Sequence, residues 1–206
     1  MKKLLLASCV AGLAFAAAPA HADAVWDAQG DWAPGYTGQH LADLDVKWFG
    51  VVYDSGIFHI KATMFGNITA GTEGFYVIGV NTGTGPSHPF GPIGAPDVKF
   101  NNVFFVQKNG TGNIGATSLT PFITIAGDSF WVDLPASVIP AGTAAPLNYT
   151  FNLWPRGAGA QAVADFAPDN SMLAAVPEIG TWAMMIAGFA AVGSGMRFRR
   201  RRPAFA

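Results

Sequence analysis

The chain has a single cysteine, Cys9, close to its start. No intramolecular disulfide can staple the remainder, so stability must come from a buried core. Glutamate is almost missing: Glu73 is the only one between residues 23 and 176. A glycoside hydrolase needs two facing carboxylates, and the aspartates of this region are scattered through turns and strand ends. His-x-His and His-x-x-x-His spacings are absent, which leaves a zinc site without local support. Gly-x-Ser-x-Gly is absent as well, so no serine nucleophile elbow is present. No amphipathic helical stretch of useful length interrupts residues 23–156. That region also has few bases. Residues 23–176 carry five bases against twelve acids, a net of −7, whereas the whole chain sums to −1. Such a surface repels nucleic acid and anionic lipid heads, and no nucleic-acid partner is expected.

The first residues read as an export signal. Lys2 and Lys3 precede an apolar run from Leu4 to Ala18, and Ala20-His21-Ala22 places small residues where a signal peptidase reads them. The run is too short for a membrane anchor. Residues 1–22 are therefore expected to be a signal peptide, cleaved after Ala22, and the Sec translocon and signal peptidase are the first partners.

Alternation then dominates. IFHIKATMF (57–65) places Phe58, Ile60, Ala62 and Met64 on one face. LNYTFNLW (147–154) sets Leu147, Tyr149, Phe151 and Leu153 against Asn148, Thr150 and Asn152. Further strands are expected over 46–53, 74–80, 98–107, 121–126 and 129–134, with tight turns at Asp54-Ser55-Gly56 and Gly127-Asp128. The fold class is all-β, an antiparallel sandwich or jelly-roll-like domain over residues 23–156. The Gly- and Pro-rich segment 81–97 reads as a surface lid or flap. Small residues dominate 157–176, an expected edge segment and linker.

Candidate chemistry is sparse. Asp43-Leu44-Asp45 offers alternate carboxylates, with Asp23, Asp27 and Asp31 nearby in sequence. Oxygen donors of this kind suit Ca²⁺, yet no EF-hand loop or glycine-rich calcium repeat is present. No cofactor is expected, and Ca²⁺ is unsupported by a motif. His40, His59 and His88 read as ordinary surface residues. Trp26, Trp32 and Tyr36 could form flat platforms for sugars, or cover the open end of the sandwich, and packing is the preferred reading.

The far end contrasts with everything before it. Ile179 to Met196 carries no charge and would span about 27 Å as a helix, near the ~30 Å of a bilayer core. Arg197, Arg199, Arg200, Arg201 and Arg202 follow and would stay cytoplasmic, leaving the preceding domain outside. Glycines along the span suit docking against another membrane helix.

Pro177-Glu178, then Trp182-Ala183-Met184-Met185-Ile186-Ala187-Gly188-Phe189, then the arginines, closely resembles the PEP-CTERM sorting signal in its alphaproteobacterial variant. Ile179 stands where that family's second proline sits. The resemblance covers residues 176–202 and implies an exosortase as partner, cleavage near Pro177-Glu178, and delivery to the surface or exterior of a Gram-negative bacterium that makes exopolysaccharide. Residues 177–202 are thus the expected sorting signal, with a transmembrane part at 179–196 and a basic tail at 197–202, held in the inner membrane before processing. The expected function is that of a non-enzymatic surface or extracellular-matrix protein associated with exopolysaccharide or biofilm. The alternatives are an extracellular glycan hydrolase and a calcium-dependent adhesin.

Overall fold

The computed structural model describes residues 24–175 and 188–189. The expected signal peptide with Ala20 and Ala22, the motif Pro177-Glu178, the span 179–196 apart from Gly188 and Phe189, and the arginines of 197–202 lie outside the described residues. Gly188 and Phe189 are helical and exposed. No helix among the described residues is long and apolar enough to cross a membrane.

Residues 24–175 form two antiparallel sheets in a sandwich-like all-β fold. One sheet has five strands in the order β1 (Ala24–Trp26), β2 (Val46–Asp54), β3 (Ile57–Met64), β9 (Ser129–Pro135), β8 (Ile123–Ala126). The other has six: β11 (Leu173–Ala174), β10 (Thr150–Arg156), β4 (Phe75–Asn81), β5 (Asn102–Gln107), β6 (Gly112–Ile114), β7 (Thr117–Ser118). The β2–β3 hairpin turns on Ser55 and Gly56, both at positive φ, the combination that matches strand twist in a two-residue loop. Gly127, at φ +61°, opens the equally short β8–β9 loop.

The core lies between the sheets. Phe49, Phe58, Ile60 and Phe130 of the first sheet meet Tyr76, Ile78, Phe104 and Phe151 of the second, all with 1% or less of their surface exposed. The predicted face of β3 is confirmed, since Phe58, Ile60, Ala62 and Met64 are all buried.

The two sheets differ on their outer sides. The outer face of the six-stranded sheet is roofed by a second apolar cluster containing Val77, Ala95, Val98, Trp154, Val163 and Phe166. Gly79 makes room for that roof: a Cβ there would lie 2.5 Å from the Trp154 ring. Segment 81–97 supplies part of the roof as a surface lid: Phe90, edge-on to Trp154 at 5.1 Å between ring centroids, packs inward with Ile93 and Ala95, while most of the segment stays exposed. Three expectations change as a result. Both faces of β10 are buried, so Asn152 is fully enclosed; its amide donates to the carbonyls of Pro168 and Ser171. Residues 163–167 are all buried, so the segment expected to be an edge and linker folds back over β10 rather than leaving the domain, and it ends as the edge strand β11. The strand expected over 98–107 begins only at Asn102, because Val98 and Phe100 turn into the roof.

Candidate functional site

The outer face of the five-stranded sheet has no such roof among the described residues. Alternation there sends Phe49 and Val51 inward and Trp48 outward. Antiparallel partners share a face, so the register sets two pairs on this outer side: Trp26 of β1 opposite Trp48 of β2 and, displaced by two residues along β2 and β3, Lys61 of β3 opposite Trp131 of β9, with Lys61 facing Gly50 and Trp48 facing Thr63. Three steps between neighbouring strands separate β1 from β9, roughly 14 Å. Trp26 is 73% exposed, while Trp48 and Trp131 are half-buried. The Lys61 ammonium sits 5.6 Å from the Trp48 ring centroid and 5.2 Å from that of Trp131. Two cation–π contacts hold it, each worth about 0.5–1 kcal/mol at an exposed site. One residue pair further along the same face, His59 Nδ1 lies 2.8 Å from Asp133 Oδ1. Rigid aromatic planes bordered by a cation and a polar pair can take a ligand that has both apolar faces and hydroxyl or carboxylate groups.

A second cluster lies at the start of the first sheet. Asp27 follows β1, and Asp31 is in the loop beyond it. Asp165 arrives from the segment folded over β10. Carboxylate oxygens of these three lie within 4.8 Å of one another. Asp165 is fixed at both oxygens: Oδ2 accepts the Val46 N–H at 2.7 Å and Oδ1 accepts the Phe166 N–H at 2.7 Å. Asp45 accepts the Gly30 N–H at 2.9 Å through Oδ2. Burial, reinforced by the other carboxylates, raises the affinity of these groups for protons. Asp27 is pushed up to about 8 by burial and by Asp31, Asp169 and Asp45. Asp165 rises to about 9 through burial and Asp27, and Asp45 to about 6 through burial and Asp31. Asp169 is raised in the same direction by burial and Asp31.

Asp43 and Asp45, the candidate pair of alternate carboxylates in the sequence, do not share a site, and both are buried. A 3-10 turn over Ala42–Leu44 breaks the extended geometry that would have aligned them. Asp43 pairs instead with Lys108, whose ammonium also meets the Glu73 carbonyl. Trp32 and Tyr36 stack with His40, the Trp32–His40 centroids being 4.5 Å apart, and both aromatics also pack against the core. Trp26 stands apart as the exposed member. His88 is exposed in the 81–97 segment, and His59 is exposed beside Asp133. Sequence reasoning missed Trp48, Lys61, Trp131, Asp165 and Asp169 as site residues. A signal for the tryptophans was available: in VKWFGVVY, Trp48 falls on the phase opposite Phe49 and Val51.

No family model, curated protein or solved structure matches this chain.

Proposed function

We propose that the chain is an exported surface or extracellular-matrix protein of a Gram-negative bacterium, and that its β domain holds exopolysaccharide on the outer face of the five-stranded sheet. The observation that carries this reading is the diagonal of Trp26, Trp48, Lys61 and Trp131 on the unroofed outer face of the five-stranded sheet. Pyranose rings have apolar C–H faces that lie against aromatic planes, while their hydroxyl and carboxylate groups require polar partners at the edge. Lys61, His59 and Asp133 supply such partners. An extended chain of sugars fits a row that crosses several strands better than a small metabolite does. Export rests on the signal-peptide pattern of residues 1–22. Sorting rests on the PEP-CTERM resemblance of residues 176–202, with exosortase as the processing partner and an inner-membrane span at 179–196 until the cut is made. The role is one of binding rather than catalysis.

The test is affinity electrophoresis of the purified protein in gels containing polysaccharide from its host's own medium. Retardation of the wild type is expected, with Trp48→Ala and Trp131→Ala each weakening binding by about tenfold, the effect of losing an aromatic anchor worth ~1.4 kcal/mol. Equal mobility with and without polysaccharide would refute the reading. So would unchanged retardation of the Trp48→Ala, Trp131→Ala double variant.

A further inference from the structure

We propose that Asp27, Asp31 and Asp165 form a calcium site, with Asp45 and Asp169 beside it, that ties the segment after β1 to the chain folded over β10. The convergence of acids is only the first observation. The second is a pair of orphaned oxygens facing inward. Asp45 is 4% exposed; its Oδ2 is committed to Gly30 N–H, and its Oδ1 has no hydrogen-bond partner. Gly30 belongs to the loop carrying Asp27 and Asp31, so the bond from its N–H holds the Asp45 carboxylate against that loop. Asp27 Oδ2 is likewise enclosed and without a partner. A buried carboxylate oxygen left unpaired costs free energy, and native structures rarely tolerate two in one place. A cation held by the cluster satisfies Asp27 Oδ2 and offsets the charge of the carboxylates around it.

The donors select the ion. Every available side-chain ligand is a carboxylate oxygen, which suits a hard cation and gives no advantage to zinc or copper. Oxygens bound at 2.3–2.6 Å around one Ca²⁺ lie up to about 5 Å apart, and the 4.8 Å envelope of Asp27, Asp31 and Asp165 accommodates that spacing. Asp31, Asp165 and Asp169 also line a recess between Pro34, Gly94 and Phe166, so water and the ion have a way in. Mg²⁺ retains most of its waters and demands a small octahedral shell, which fits poorly with three converging carboxylates whose oxygens spread over 4.8 Å. The proposal is independent of polysaccharide binding, because it is read on the protein alone.

The experiment uses the full chain, expressed in a Gram-negative host, purified in mild detergent and stripped with EGTA. Calorimetric titration with CaCl₂ should show one ion per chain, and the melting temperature should rise by about 5–10 °C once Ca²⁺ reaches a hundredfold excess over its dissociation constant. Asp31 is exposed, so Asp31→Asn should fold as the wild type does in EGTA yet bind Ca²⁺ at least tenfold more weakly. Asp54→Asn, remote from the cluster, should leave binding unchanged. No uptake at about 10 mM Ca²⁺, beyond the range of extracellular calcium modules, would overturn the proposal. Wild-type affinity in Asp31→Asn would also overturn it, because the ion would then lie elsewhere.

Discussion

Asp165 Oδ2 accepts the backbone N–H of Val46 across 119 positions of sequence. That bond joins the first residue of β2 to the segment that closes over β10. Asp165→Ala removes the acceptor for two backbone donors, those of Val46 and Phe166, at a buried position. Each unpaired donor costs about 1–3 kcal/mol. Urea unfolding should therefore show a loss of roughly 2–5 kcal/mol, whereas Asp165→Asn, which keeps one acceptor oxygen, should lose less.

Metal-free stability should fall as pH rises. Asp27 and Asp165 titrate at about 8 and about 9 in the folded chain, against an ordinary value of 3.8. The folded state therefore holds protons that the unfolded state has released between those limits, and the slope of unfolding free energy with pH is negative there. This contribution is complete below about pH 4 and is lost as pH climbs through 8 to 9. Asp45 and Asp169, both raised by burial, steepen the loss as they ionise. Urea midpoints in EGTA should be higher at pH 5 than at pH 9. Added Ca²⁺ should shrink that difference, because it replaces the protons.

The sequence showed the sheets more clearly than the site. Seven strands were legible because one side of each meets the intersheet core, and β3 follows strict alternation from Phe58 to Met64. β10 broke the pattern: a roof built from residues 81–101 and 163–172 buries Asn152 and Trp154 on its second face. Periodicity detects one buried face and cannot foresee a second layer supplied by distant chain. The acid cluster was only half visible for the same reason. Asp27 and Asp31 are neighbours in sequence, but Asp165 and Asp169 reach them only through the fold. One hint was local: Asp165 sits within the small apolar run AVADFA, where an isolated charge requires a partner.

Lys108→Met should be costly. The Lys108 and Asp43 side chains are only 10% and 8% exposed, and the pair anchors the turn that leads into β2. Removing the cation leaves the Asp43 carboxylate buried without its counter-ion, a loss of about 3–5 kcal/mol in cases of this type. Thermal unfolding of Lys108→Met beside the double variant Asp43→Asn, Lys108→Met checks this. Partial recovery in the double variant is expected, because no buried charge is then left alone.

Processing can be read by intact-mass spectrometry of protein recovered separately from membranes and from culture medium. The expected product begins near Asp23 and ends close to Pro177-Glu178, with Ile179 tolerated in place of proline. A species found only in membranes and still carrying Arg202 would defeat the sorting reading and leave a single-span anchored protein.

The short strand β11 also has a mechanical consequence. The chain continues beyond Ala175, and any pull from that side reaches the domain through a strand of two residues, Leu173–Ala174, paired to Phe151 and Thr150. Next in line are the Asn152 bonds to Ser171 and Pro168, and after them the anchorage of Asp165. Load therefore falls on these fastenings in sequence, as in peeling, rather than being shared across a long shear seam. The carboxylates meet part-way along that series, so a bound ion would act as a rivet there, raising the load at which a tethered molecule opens.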